Sequence, residues 1–314
     1  MDITSEPKRT SQQKWNLSKK RIKRHWQLYL LLILPLTWVI IFRYIPMYGL
    51  QIAFRDYRIA DGFFHSPWAG LRHFRSFMGS HQFPRLVGNT VILSLYTLVA
   101  GFFPPIILAV ALNECRLRFF QKSVQLITYA PYFLSTVVVV SMLMQIFALH
   151  GVVNAFISMF GGTPISFLAN AGLFRHLYVW SEVWQRMGYT AIIYIAALAG
   201  INPELQEAAE IDGANIWKRI WHVDLPGIMP TVIILFILST ANILNVGFEK
   251  VFLMQNPLNM NVSDIIATFT WRMGLVDMNF SFATAVGLFQ SVISFVFLLT
   301  VNKISRHISD ISLW

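Results

Sequence analysis

The chain has 314 residues, 55% of them hydrophobic and 13% charged, with a formal net charge of +10 and a mean hydropathy of +0.54. Soluble domains carry roughly 25% charged residues. Half that density, with the apolar residues in long runs, excludes an ordinary soluble domain and indicates an all-α polytopic membrane protein.

The basic residues flank apolar runs instead of forming a soluble basic face, so the positive balance reads as lipid contact and not as nucleic-acid binding. The single cysteine, Cys115, excludes an internal disulfide and any cysteine-based metal cage. It reads as a small apolar filler near a helix end.

Residues 1–27 form a basic N-terminal segment holding Lys8, Arg9, Lys14, Lys19, Lys20, Arg21, Lys23 and Arg24, which stays in the cytoplasm. The first apolar run ends in Phe42-Arg43-Tyr44 without a small-residue cleavage site, so it predicts an anchor and not a removable signal. Six transmembrane helices are predicted. They cover about 28–42 (continuing toward Tyr48), 88–113, 124–149, 177–200, 228–246 and 282–301, and each needs about 20 apolar residues to cross. Pro35, Pro104, Pro105 and Pro131 fall inside them and mark kinks, around a central path or for packing alone. Six spans return the C-terminus, with Lys303 and Arg306, to the cytoplasm. Arg116, Arg118, Lys122, Lys218 and Arg219 then lie inside as well, and eight of the nine lysines become cytoplasmic. The outer stretch 43–87 dissents in part, with six arginines and no lysine. Its Pro67-Trp68-Ala69-Gly70-Leu71 and His73-Phe74 predict short interfacial helices or part of a docking face.

Between the fourth and fifth spans lies an acidic loop, 202–224. Glu204, Glu207, Glu210 and Asp212 fall within nine residues. Asn202-Pro203 is a helix start, an N-cap oxygen followed by a residue with no N–H. Glu204 and Glu207 suit the positive end of the helix dipole, and Gly213 stops the helix by taking a left-handed conformation. Ile216, Trp217 and Ile220 give a second helical stripe, which Leu225-Pro226 is expected to close. A solvated acidic loop explains the charges but not Ala208 and Ala209 beside a capped helix and a glycine stop.

Within span four, Trp180, Glu182, Trp184, Arg186 and Tyr189 are candidate path residues. Glu182 and Arg186, four apart, can pair on one face, as a structural ion pair or facing a cavity. Asn242 and Asn245 end span five, lining a path or bonding to a neighbouring helix. Glu249-Lys250 and the outer stretch 250–281 are placed where an external partner could meet the chain. A secondary transporter or channel is the alternative. It would need its own ion pathway, and the spans show neither a carboxylate relay nor an inverted repeat. The eight scattered histidines give no catalytic or metal motif.

Glu207-Ala208-Ala209, then Asp212-Gly213-Ala214, then Leu225-Pro226 at this spacing resembles the signature of permease subunits of binding-protein-dependent ABC importers. Leu28-Tyr29-Leu30 with Pro35, Tyr44-Ile45-Pro46-Met47-Tyr48-Gly49, Asn89-Thr90, Pro105-Ile106-Ile107-Leu108-Ala109 with Asn113-Glu114, Tyr129-Ala130-Pro131 and Ser312-Leu313-Trp314 resemble the branch that imports oligosaccharides and polysaccharides. Tyr132 departs from it, standing where a histidine is expected. The resemblance covers residues 25–314 and implies a transmembrane domain over 28–314 in the plasma membrane, with 202–224 as a cytoplasmic coupling loop. Glu207 would pair with a basic residue of a separate ATPase, Ala208 and Ala209 would fit its cleft, and Gly213 would supply the bend.

The implied partners are an ATP-binding subunit dimer, a second related permease and an extracytoplasmic solute-binding protein, beside membrane lipid. No glycine is followed by lysine anywhere, so the phosphate loop is absent. The chain carries no cofactor of its own, and ATP and magnesium would sit on the partner ATPase. The outer arginines, with Arg186 and Arg272, point to an anionic cargo such as alginate or another uronate; lipid headgroups explain them equally well.

Overall fold

The computed structural model describes residues 23–115, 117–241 and 247–309. Asn242, Asn245 and the end of the fifth predicted span at 246 lie outside these residues. So do Arg116, the basic residues of 1–22 and Ser312-Leu313-Trp314. Among the described residues the chain is helical, and its one extended pairing is an isolated antiparallel bridge between Arg55 and Trp68.

Helix α1 (Trp26–Val39) runs on through a π-helical turn (Ile40–Tyr44) and a 3-10 segment (Ile45–Phe54). The short first span of the sequence is therefore a rod of 29 residues. Its first 14 residues bury nothing against the rest of the chain.

The 43–87 stretch does carry short helices, α2 (Gly62–His65) and α3 (Arg72–Met78). Pro67-Trp68-Ala69-Gly70 instead makes the bridge and a turn. Exposed Trp68 stacks on Phe54 with ring centroids 5.8 Å apart. Asp56 pairs with Arg72, and its Oδ1 lies 3.0 Å from His73 Nε2.

Helices α4 (Phe83–Asn113) and α8 (Ala171–Leu198) pack together more extensively than any other pair and form the spine of the molecule. Between them lie α5 (Arg118–Tyr129) with a 3-10 turn (Ala130–Phe133), α6 (Thr136–Ile146) and α7 (Val152–Met159). The third span predicted over 124–149, with a kink at Pro131, is a pair of helical segments broken by a sharp bend. The segments Arg118–Phe133 and Thr136–Ile146 meet at 104°. Pro131 has no N–H to continue the helical ladder, and Ser135 starts a new helix by accepting from the Val138 N–H at 3.3 Å. The Leu134 carbonyl freed at the bend accepts from Gln185 Nε2 at 3.0 Å, as apolar surroundings require. Near this corner α5 and α8 touch backbone to side-chain-free backbone. A Cβ on Gly188 would overlap the Thr128 carbonyl.

The rest of the chain comprises α9 (Pro203–Ile211), α10 (Ile216–Arg219), a π-helical turn (Ile220–Asp224), α11 (Leu225–Ala241), α12 (Phe248–Met254), α13 (Met260–Ser263), α14 (Ile266–Trp271) and α15 (Phe280–Ser309). Much of the stretch 250–281, which the sequence places where an external partner could meet the chain, packs inward, while 257–258 and 275–279 stay exposed. Val251, Met254, Ile265, Ile266 and Phe269 are buried in clusters with α4, α8 and α15, because their apolar side chains recur at helical spacing within short helices.

Among the described residues four helical segments are long and apolar enough to cross a membrane: Trp26–Phe54, Phe83–Asn113, Ile216–Thr240 and Phe280–Ile304. The bent pair makes a fifth if it counts as one span. Helix α8 has 28 residues but carries Arg175, Glu182 and Arg186, so it is not among them.

Candidate functional site

The acidic loop is built by local chemistry. The Asn202 side chain caps α9 by accepting from the Glu204 N–H at 3.1 Å, which satisfies one of the donors a helix start leaves free. At the other end Gly213 has φ of +74°. The Ala214 N–H bonds back to the Ala209 carbonyl at 2.9 Å, the six-to-one bond of a glycine-terminated helix. Asn215 then caps α10, accepting from the Lys218 N–H at 2.9 Å.

Glu207, Ala208, Asp212 and Gly213 are exposed, and Ala209 and Ala214 are half-buried. Ile211 and Trp217 also stand exposed beside them, so the loop presents a mixed acidic and apolar surface.

One expectation is overturned. Leu225-Pro226 does not close the second short helix; the helix runs without a break from Ile216 to Thr240. The π-helical turn Ile220–Asp224 directly precedes Leu225-Pro226. A proline inside a helix lacks a donor and crowds the carbonyl four residues back. The wider turn makes room for the ring.

Sequence reasoning missed the side chains that brace the loop. Arg219 Nη2 lies 2.9 Å from Glu114 Oε2 at the end of α4, and Arg219 also pairs with Glu210 on α9. Gln206 Nε2 donates to Asp224 Oδ1 at 2.5 Å, and Asp224 is buried. These contacts fix α9 against α10, the π-helical turn and the end of α4. The sequence offered one hint, the Asn113-Glu114 pair ending an apolar run.

The second feature is a cavity of about 460 Å³ between α4, α8 and α11. Ser94, Thr97 and Pro105 line it from α4, Glu182, Arg186 and Thr190 from α8, and Ser239 from α11. Of the candidate path residues, Glu182 and Arg186 face it. Trp180, Trp184 and Tyr189 are exposed but do not line it. Tyr189 stacks on Tyr132 instead, with centroids 4.1 Å apart and planes 4° from parallel.

Glu182 and Arg186 do form the pair their spacing predicts. A partner that the sequence did not reveal joins them, since Lys250 Nζ donates to Glu182 Oε2 at 2.8 Å. Lys250, which the sequence places where an external partner could meet the chain, is buried. Its position immediately before the apolar run Val251-Phe252-Leu253-Met254 is the available signal. Arg272 is also engaged internally. It donates to the buried Asp264 carboxylate at 2.8 Å, with Arg85 3.7 Å from the same oxygen. Arg55 donates to the Ser66 carbonyl at 2.9 Å. Much of the arginine excess outside the spans is therefore structural.

Comparison with known proteins accords with this architecture. Residues 101–310 match the family described as "Binding-protein-dependent transport system inner membrane component". Protein LplB of Bacillus subtilis (strain 168) is 41% identical over 286 residues, 91% of this chain and 90% of its own length. The polygalacturonan/rhamnogalacturonan transport system permease protein YteP of the same organism is 37% identical over 284 residues, 90% of this chain and 88% of its own length. The crystal structure of a bacterial ABC transporter involved in the import of the acidic polysaccharide alginate contains a chain 38% identical, with a TM-score of 0.86, covering 92% of this chain and 98% of that one. A second crystal structure holds that type of transporter in complex with an alginate pentasaccharide-bound periplasmic protein; its chain is 38% identical, with a TM-score of 0.87, covering 94% and 99%. This multi-pass membrane chain belongs to the inner membrane component family of binding-protein-dependent transport systems, as an ABC transporter permease subunit.

Proposed function

We propose that this chain forms one half of the translocation path of an ATP-driven importer of oligo- or polysaccharides, with acidic chains such as alginate or another uronate as cargo. Its six spans, α8 among them, lie in the plasma membrane with both termini and the 202–224 loop in the cytoplasm. A second related permease completes the path, an ATP-binding subunit dimer grips the loop, and an extracytoplasmic solute-binding protein delivers the sugar. The chain needs no cofactor; ATP and magnesium belong to the ATPase subunits.

The observation that carries this reading is the braced loop. Exposed Glu207, Ala208 and Asp212 stand beside exposed Ile211 and Trp217, and Arg219 ties them to the end of α4 through Glu114. A rigid element of this kind passes a push into the spans, where a mobile loop would absorb it. The alginate and polygalacturonan relatives support an acidic cargo.

The test is ATPase activity of the reconstituted complex with and without sugar-loaded binding protein. We expect stimulation that disappears with Glu207→Lys. A chain that associates with no ATPase would sink the reading in favour of a secondary transporter or channel.

A further inference from the structure

The charges around the cavity do not cancel. Glu182 pairs through Oε1 with Arg186 and through Oε2 with Lys250. Two cations share one carboxylate, which leaves the cluster a net charge of +1. They do not share it alike. The Lys250 side chain is 3% exposed, with Nζ 5.3 Å from the centre of the Tyr178 ring. An ammonium buried so deeply needs its counter-ion. The Arg186 side chain is 67% exposed and stands in the cavity wall. Its Nε is used on Glu182, and the guanidinium keeps further N–H groups in a planar fork that suits a carboxylate. Among the described residues lining the cavity, Glu182 and Arg186 are the charged ones.

We propose that Arg186 is a specificity-determining residue of the path, contacting the carboxylates of acidic sugars, and that the buried Lys250 is a positioning residue that leaves Arg186 its charge by occupying Glu182. The proposal rests on the reading of this chain as a sugar-importing permease. Without Lys250, Glu182 would neutralise Arg186 and present a carboxylate to an incoming uronate. With it, the wall carries a positive charge on a side chain that reaches into the cavity, where an ionisable group on a membrane helix is placed to meet cargo. A neutral sugar gains nothing from that charge, so the device discriminates between cargoes without strengthening sugar binding in general.

The experiment uses the complete complex in liposomes, with both permeases, the ATPase subunits and the binding protein. It measures ATP-dependent uptake of a uronate trisaccharide against its methyl ester, which has the same shape without the charge. Selection by the binding protein is common to all variants, so the change in the acid-to-ester ratio isolates the path. Arg186→Gln should lower the ratio by about tenfold, the scale of one charge-assisted hydrogen bond, while Arg186→Lys should keep most of it. Lys250→Met should lower the ratio although Arg186 is intact, an effect that a purely structural lysine would not produce. The double variant Glu182→Gln, Lys250→Met, which removes the buried ammonium together with its counter-ion, should hold the wild-type ratio, and serves if Lys250→Met does not assemble. An unchanged ratio in Arg186→Gln, or a fall in the double variant, overturns the proposal. Wild-type complexes that take up neither sugar overturn the importer reading itself, a failure visible before any variant is made.

Discussion

Arg219 Nη2 reaches Glu114 Oε2 at 2.9 Å, joining residues 105 positions apart. Both side chains are mostly shielded from solvent, at 15% and 14% exposure. One arginine thus fastens the acidic loop to the end of the spine helix α4. Arg219→Met leaves a shielded carboxylate without its cation and should destabilise the chain by about 3 kcal/mol, seen as a lower midpoint of thermal unfolding of the purified complex. The Glu114→Gln, Arg219→Met double variant should lose less than the sum of the single losses. Strict additivity would mean that the pair does not hold the loop.

The bend at Gly213 is a backbone requirement and not a matter of space, since a Cβ there would meet nothing within 4 Å. Gly213→Ala should therefore cost only about 1 kcal/mol, the strain of a left-handed residue. Gly213→Pro should be far worse. The ring fixes φ near the opposite sign and removes the N–H that donates to the Glu210 carbonyl at 3.0 Å. We expect sugar-stimulated ATPase to survive in the alanine variant and to be lost in the proline one, with membrane insertion intact in both.

Ala208 is exposed on α9, so Ala208→Trp should leave folding alone and block whatever docks there. Loss of sugar-stimulated ATPase, with normal thermal stability, is the expected result. Unchanged stimulation would remove α9 from the contact with the ATPase.

Gly188 has the opposite character. A side chain there meets the Thr128 carbonyl and the Tyr129 backbone nitrogen, neither of which can swing aside. Gly188→Ala should cost about 1–3 kcal/mol as overpacking and push α5 away from α8. It should also disturb the stacked Tyr132–Tyr189 pair, so tyrosine fluorescence and the thermal midpoint should change together.

The sequence made local features legible. Asn202-Pro203 starts a helix, Gly213 stops it, and Glu182 with Arg186 pairs at helical spacing, because each rests on contacts within a few residues. What it concealed is long-range. Lys250 and Glu182 are 68 positions apart, and no periodicity announces that a lysine at the head of a short helix will turn inward. The third span was legible in part. Pro131 marks a kink, but the composition is continuously apolar across Leu134, so hydropathy does not show that the bend reaches 104°. The proline at 226 misled in the reverse sense, since it looked like a stop and is carried within a continuous helix by the π-helical turn before it.

That turn has a geometric consequence for the cavity. A wider turn holds about one residue more than an α-helical turn, and one residue corresponds to about 100° of rotation about the helix axis. The azimuth at which α11 presents Leu235, Leu238 and Ser239 to the cavity is thus set four turns away, at Ile220–Asp224, beside the acidic loop. Deleting a single residue there would spin the cavity-facing stripe of α11 by more than a quarter turn while leaving every residue of that stripe in place in the sequence.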